Sequence, residues 1–254
     1  MNKVVFIGAG PGDPELITLK GKRYLEQADV IVYSGSLLNP EILKYAKQEA
    51  ELHDSAKLSL PEVLKIMIEA TKNGKVVARV HDGDPSFYGA IQEQMDGLDK
   101  EKIQYFRIPG VSCLQGGAGA LNRELTLPNI SQTVIITRPE GRTPVPPTES
   151  ISKLAAHQAT MVIFLGTPHI ARVVQDLLKG GYPKETPAQV VYKATWPQQK
   201  IFKGTLNDIV EKVKAAGITE TALIFVGKVL DPQAYDLSKL YDPTFTTGFR
   251  KGEE

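Results

Sequence analysis

Hydrophobic and polar positions follow two alternating periods along the first half of the chain. Short β-branched runs predict strands at residues 3–7, 30–33, 76–80 and 103–108. Helical periodicity predicts helices between them at residues 18–27, 40–46 and 59–72. Asn39 before Pro40 is typical of a helix start, and Ser59 with Glu62 has the spacing of a capping box. This alternation predicts parallel strands joined by crossover helices.

The pattern breaks after residue 108 and then resumes. Ser112 is predicted to cap a small-residue helix that runs to about residue 121, and the polar, irregular residues 122–131 predict a domain boundary. Strands are then predicted at residues 133–137, 160–164, 188–192 and 222–226, and helices at residues 169–178 and 206–215. We therefore predict two α/β domains, residues 1–121 and 131–240, and a polar tail, residues 241–254.

Composition narrows the classes of function. The chain has 254 residues with a net charge of +1, so no excess positive charge favours a nucleic-acid partner. The single cysteine, Cys113, excludes an internal disulfide and favours a reducing compartment. Apolar runs are too short to span a bilayer, and the start lacks the pattern of a signal peptide. We expect a protein of the cytoplasm, without a membrane segment.

A glycine-rich bend follows the first predicted strand. Residues 8–14 read GAGPGDP, and glycines there let a ligand approach the backbone closely. The spacing differs from the dinucleotide fingerprint, and the next strand ends in YSG without a carboxylate for a ribose hydroxyl. No P-loop motif occurs in the sequence. A ligand site and a simple tight turn both remain open for this first bend.

A second bend, residues 81–89, and a third bend, residues 109–113, also follow predicted strands. Ligands bind open α/β sheets at this end of the strands. Asp82 and Asp84 of the second bend favour hydrogen bonding over metal binding, since no further ligand lies at suitable spacing; turn formation is the alternative. In the third bend, Ser112 is better read as a helix cap than as a nucleophile, and Cys113 as a packed thiol.

Seven segments occur in an order that matches a known family. They read GAGPGDPELITLKG, DVIVYSGSLL, HDGDPSFYGA, RIPGVSC, TMVIFLGT, TPAQVVYKATWPQQKIFKGTL and TALIFVGKVL. Together they resemble the tetrapyrrole methylase superfamily of S-adenosylmethionine methyltransferases, from Lys3 to about Leu230. The resemblance implies an enzyme of two α/β domains with S-adenosylmethionine in the cleft between them. It also implies a homodimer.

The resemblance assigns cofactor-binding residues position by position. They are Pro11, Gly83, Asp84, Phe87, Ser112, Cys113, Leu165 and Ala194. Leu165 and Ala194 depart from the methionine and glycine that are common in relatives, and core packing is the alternative role for Leu165. S-adenosylhomocysteine would be the product that remains when S-adenosylmethionine has given up its methyl group.

One departure from the family pattern indicates the subgroup. Uroporphyrinogen-III methyltransferases carry Tyr-Asp-Arg-Leu after the second strand, and their aspartate is regarded as a proton acceptor, whereas this chain has Ser34 there. The YSGSLL, TRPEGRTP and SKLY segments resemble the precorrin-4 C(11)-methyltransferases of cobalamin biosynthesis. At that ring carbon methylation creates a quaternary centre, so no proton leaves the carbon and no catalytic base is assigned.

Such a substrate carries several carboxylates, for which a cleft supplies cations and polar groups. Arg138 and Arg142 are the predicted cations, and the predicted polar substrate-binding residues are Asp13, Ser34, Ser36 and Tyr88. For each of these an ordinary solvated or turn role is the alternative. Methylation at another ring position, on a protein or on ribosomal RNA, and a nucleotide-binding regulatory module without chemistry, are the rival functions.

Overall fold

The computed structural model describes residues 3–253, which form two compact units. Among these residues, the first unit comprises 3–120 together with Lys193–Gln199, and the second comprises Leu121–Tyr192 together with 200–253. The segment at 193–199 therefore packs with the first unit, although the predicted second domain, residues 131–240, includes it. The predicted bounds of the domains remain a prediction, and the two units are described separately.

The first unit contains a five-stranded parallel sheet. Its strands are β1 (Lys3–Gly8), β2 (Val30–Tyr33), β3 (Glu51–Asp54), β4 (Val77–His81) and β5 (Gln104–Ile108), in the spatial order β3-β2-β4-β1-β5. Its helices are α1 (Leu19–Gln27), α2 (Leu60–Lys72), α3 (Gln92–Lys100) and α4 (Cys113–Leu121). Alternate side chains of β1 enter different cores: Ile7 packs with Leu25 of α1, and Phe6 packs with Met67 of α2.

Side chains cap several helix starts in this unit, and the caps at Ser59 and Asn39 were predicted from the sequence. The Thr18 hydroxyl accepts the N–H of Gly21 at 3.0 Å and begins α1. Ser59 and Glu62 form a capping box at the start of α2, with the Ser59 N–H 2.7 Å from the Glu62 carboxylate. Asn39 caps the segment Pro40–Tyr45, but this segment is a 3-10 helix rather than an α-helix.

The second unit contains a mixed sheet. Its strands are β6 (Val134–Thr137), β7 (Thr160–Ile163), β8 (Pro187–Tyr192), β9 (Lys200–Thr205) and β10 (Ala222–Val226), in the order β6-β7-β10-β8-β9. Its helices are α5 (Ile151–Ala155), α6 (Ile170–Lys179) and α7 (Ile209–Ala215). The pair β6–β7 is parallel, whereas β10 runs antiparallel to β7 and β8, and β9 runs antiparallel to β8.

The hydrophobic pattern failed to indicate four elements, namely β3, β9, α3 and α5. Strands β3 and β9 lie at sheet edges and carry polar side chains on exposed faces, so neither shows a continuous apolar run. Helix α3 is mostly polar and contains Gly97, and α5 is only five residues long. Helix α7 begins at Ile209, three residues after the predicted start. Within residues 3–253, no helix combines the length and apolar character needed to cross a membrane.

Candidate active site

The three bends predicted from the sequence lie side by side at one edge of the first sheet. They follow β1, β4 and β5, and β1 lies between the other two strands. Backbone hydrogen bonds join the first and second bends: the Gly83 N–H donates to the Gly10 carbonyl at 2.8 Å, and the Gly10 N–H to the Gly83 carbonyl at 3.3 Å. The bends therefore form one continuous backbone surface.

Glycine is required where these bends approach one another. A Cβ on Gly110 would lie 2.2 Å from the Gly83 carbonyl oxygen, and a Cβ on Gly8 would lie 2.6 Å from the Gly110 nitrogen. Both distances are far below van der Waals contact. Gly83 also has φ +57°, in the left-handed region that favours glycine. A larger residue at Gly8 or Gly110 would push the bends apart.

The carboxylate of Asp84 links the second bend to the third. Its Oδ1 accepts the Ser86 N–H at 2.8 Å, and its Oδ2 accepts the Gly110 N–H at 2.9 Å. Partial burial alone would raise the pKa of Asp84, but hydrogen bonds from Ser86 and Gly110 outweigh it, and the net pKa lies below its usual value. The ionised carboxylate of Asp84 therefore connects the second bend to the third through hydrogen bonds.

The pKa of Asp82, two residues before Asp84, is shifted in the opposite direction. Burial raises its pKa, and its own N–H and the nearby Ser34 hydroxyl offset that only in part. Burial, with the nearby charge of Asp82, also raises the pKa of Cys113 to about 12. The Cys113 thiol is therefore protonated at neutral pH, which agrees with the packed thiol that the sequence predicts.

The other predicted residues of the first unit occupy this edge of the sheet or the segments packed on it. Ser112 is buried, and its hydroxyl accepts the Leu114 N–H at 3.3 Å, so its predicted capping role is confirmed. Phe87 and Tyr88 of the second bend are 40% and 45% exposed. Ser34 and Ser36 follow β2, the strand next to β4, and Ser36 is exposed.

Ala194 lies close to Pro11 and Asp13 of the first bend although it is far from them in sequence. Pro11 is buried against α4, where a Cβ on Gly116 would lie 2.7 Å from the Pro11 Cβ. Asp13 caps a 3-10 helix by accepting the Glu15 N–H at 2.9 Å. Ala194 is buried, and its carbonyl oxygen would lie 2.9 Å from a Cβ on Gly12. Their assignment to cofactor or substrate stays a prediction.

Three predicted site residues belong to the second unit. Leu165 follows β7 with φ +53° and is 55% exposed, which does not fit its alternative role in core packing. The Arg138 guanidinium donates to the carbonyls of residues in its own loop, Pro139, Thr143 and Pro144, at 2.8–3.2 Å. Arg142 is exposed at the tip of that loop. Arg142 is thus better suited than Arg138 to meet a carboxylate.

Sequence reasoning missed three side chains that bind the first bend: Asn39, which was interpreted only as a cap, Thr195 and Trp196. The one available signal was the single tryptophan of the chain, beside Ala194. Among residues 3–253, no three His, Cys, Asp or Glu side chains come together in a group that could hold a metal ion.

This architecture defines the class of protein first: an α/β ligand-binding protein whose site is made of backbone bends at the carboxyl end of parallel strands. Comparison with known proteins then defines the family. The model of the family described as Tetrapyrrole (Corrin/Porphyrin) Methylases matches residues 3–210. The chain belongs to this family, and it is a methyltransferase.

Individual relatives extend this match over nearly the whole chain. The cobalt-precorrin-4 C(11)-methyltransferase of Methanocaldococcus jannaschii is 56% identical over 252 residues, which cover 99% of this chain and 97% of the relative. The X-ray structure of a cobalamin biosynthetic enzyme, cobalt precorrin-4 methyltransferase, superposes with a TM-score of 0.88 at 43% identity and covers 91% of this chain and 96% of that chain. A uroporphyrin-III C-methyltransferase of Thermus thermophilus, solved with S-adenyl homocysteine, shares the fold, with a TM-score of 0.76 at 24% identity and coverage of 92% and 96%.

The opposite pKa shifts of Asp82 and Asp84 predict opposite effects of pH on stability. For Asp82, whose pKa is raised by folding, the stabilising contribution is present below the unfolded pKa, about 3.9, and is lost as pH rises through the folded pKa. Asp82→Asn should therefore gain stability relative to the parent protein as pH rises above about 4. Urea unfolding of both proteins between acid and neutral pH measures this difference.

Asp84→Asn is the matched control for that experiment. Its pKa is lowered, so the contribution of the native carboxylate is lost as pH falls, and this variant should lose stability relative to the parent as pH rises. Parallel pH curves for the parent and both variants would contradict the two electrostatic assignments.

Proposed function

We propose that this chain transfers the methyl group of S-adenosylmethionine to ring carbon 11 of precorrin-4 or cobalt-precorrin-4 in cobalamin biosynthesis. The observation that carries the proposal is the 56% identity, over nearly the full length of both chains, to an enzyme named for that reaction. The YSGSLL sequence after β2 supports the same subgroup, because a serine there cannot act as the carboxylate base of the uroporphyrinogen-III enzymes.

The three bends support the cofactor assignment. Glycine at their contacts lets the three backbone segments pack directly on one another, so that a ligand at this end of the strands would meet backbone of all three bends. S-adenosylmethionine, when bound, would supply a methyl group on a sulfonium; an electron-rich carbon can attack this methyl group directly, with S-adenosylhomocysteine as the leaving group. In this proposal Asp84 holds the second and third bends together through its hydrogen bond to Gly110.

Positioning is the main catalytic contribution of the residues in this proposal. A cofactor and a macrocycle held in line react as if in one molecule, an advantage of roughly 7–11 kcal/mol in model reactions. No proton has to leave the methylated carbon when it becomes quaternary, so the reaction at that carbon needs no base from Ser34. The raised pKa of Asp82 is compatible with a site that excludes water.

The substrate-binding residues are proposed on their chemistry. Arg142 is exposed and can pair with a carboxylate of the macrocycle, while Arg138 shapes the loop that carries Arg142. Asp13, Ser34, Ser36 and Tyr88 are proposed as polar contacts of the same substrate. We further propose a homodimer, from the resemblance to the family, and a cytoplasmic location, which the single cysteine supports.

A direct assay tests the reaction. The protein is incubated with methyl-labelled S-adenosylmethionine and precorrin-4, with the cobalt-containing form in parallel, and the product is analysed by mass spectrometry and by the carbon-13 signal of the new methyl group. We expect one added methyl group at carbon 11 in at least one of the two reactions. Unmodified substrate in both, or a methyl group at another carbon, would refute the proposed specificity.

Two substitutions are expected to separate cofactor binding from substrate binding. Calorimetry with S-adenosylhomocysteine should give a dissociation constant in the low micromolar range, about −8 kcal/mol, for the parent protein. Asp84→Asn loses one of its two accepted hydrogen bonds and should weaken this binding roughly tenfold. Arg142→Ala should keep the cofactor affinity and raise KM for the tetrapyrrole. Unchanged binding and turnover in both variants would contradict this assignment of the site.

A further inference from the structure

The tip of the first bend is held by side chains from two distant segments. The Trp196 indole Nε1–H donates to the Pro11 carbonyl at 3.1 Å, and the Asn39 Nδ2 donates to the Gly12 carbonyl at 2.8 Å. The Asp13 N–H donates to the Thr195 hydroxyl at 2.9 Å. Three successive residues of the bend thus have a backbone polar group already bonded within the first unit.

Packing matches this hydrogen bonding. A Cβ on Gly12 would lie 2.0 Å from Cδ1 of Trp196, so the indole occupies the space that only a glycine leaves. Asn39 is buried and uses both ends of its amide, since its Oδ1 also accepts the Glu41 N–H at 3.1 Å. Gly12 is therefore explained by a protein contact, in addition to any ligand that the bend binds.

Thr195 holds an unfavourable backbone conformation to make its contact. Its φ of +69° is rare for a β-branched residue. The turn is maintained by its own hydrogen bonds, from the Thr195 N–H to the Gln199 side chain at 2.7 Å and from the Trp196 N–H to the Lys193 carbonyl at 3.0 Å. Such strain persists where the surrounding structure enforces it, and it is concentrated at functional sites.

We infer that Thr195, Trp196 and Asn39 are positioning residues that fix the backbone of residues 11–13 in the shape that the cofactor requires. This inference rests on the proposed function, in which the first bend binds S-adenosylmethionine. Because the Pro11 and Gly12 carbonyls and the Asp13 N–H already have protein partners, the tip contributes the shape of its backbone. A bend held rigid before binding loses less conformational freedom when the cofactor arrives.

A matched pair of substitutions at Thr195 tests the inference. Thr195→Val keeps the β-branched shape and removes the acceptor for the Asp13 N–H, whereas Thr195→Ser keeps the acceptor. Trp196 is the single tryptophan, so its fluorescence reports directly on the bend during titration with S-adenosylhomocysteine. We expect Thr195→Val to bind S-adenosylhomocysteine roughly tenfold more weakly than Thr195→Ser. With both substrates present, the loss should fall on KM for the cofactor rather than on kcat.

Asn39→Asp provides a second, independent variant. It keeps the acceptor for the Glu41 N–H but replaces the donor to Gly12 with a carboxylate oxygen, so it should also weaken binding while the 3-10 helix stays capped. Circular dichroism and thermal unfolding establish that each variant is folded.

The outcomes separate this inference from the proposed function. If the parent protein fails to bind S-adenosylhomocysteine, the proposed function fails. If the parent binds it, and the folded Thr195→Val and Asn39→Asp variants bind it as tightly as Thr195→Ser, the positioning role is refuted. A fall in kcat at saturating cofactor, with KM for the cofactor unchanged, would also refute it.

Discussion

Close contact between backbone segments at the carboxyl edge of the first sheet is the constraint on which the candidate site depends. Strand β1 lies between β4 and β5, so the bends that follow these strands meet without any long connection. Gly8, Gly83 and Gly110 allow that contact because a Cβ on Gly8 or Gly110 would collide with the neighbouring bend. The glycines therefore explain the shape of the site before any ligand is considered.

Polar side chains then fix the shape that the glycines allow. Asp84 bridges the second and third bends through an ionised carboxylate, while Asn39, Thr195 and Trp196 fix the first bend. The bond from Asn39 to Gly12 is buried, so breaking it would leave its partner unsatisfied away from water, while the bonds of Thr195 and Trp196 are part-buried. The result is a preorganised surface that suits a small ligand. The net charge of the protein is +1, whereas nucleic-acid binding is favoured by an excess of positive charge.

The sequence allowed four of the five strands of the first sheet, two of its α-helix caps and its three bends to be predicted, because each depends on residues close together along the chain. Ser59 and Ser112 are examples of local signals that the structure confirms. The edge strands β3 and β9 escaped prediction because a half-exposed strand has no continuous apolar run. The antiparallel pairing of β10 could not be predicted either, since a period of two carries no information on strand direction.

Contacts in the site between residues far apart in sequence could not be predicted from the sequence either. Thr195 and Asp13 are 182 residues apart, and nothing in either local segment indicates the other. Arg138 shows a related limit: its type and position suggested a ligand contact, whereas its guanidinium bonds to carbonyls of its own loop. Residue type predicts which interactions a side chain can make, and the tertiary structure determines which partner it contacts.

Hydrogen–deuterium exchange with and without S-adenosylhomocysteine tests most directly whether the three bends form one cofactor surface. Peptides that cover residues 8–14, 81–89 and 109–113 should all exchange more slowly when S-adenosylhomocysteine is bound, while those that cover β3 and α2 should be unaffected. Protection of only one bend, or protection confined to other parts of the chain, would contradict the account.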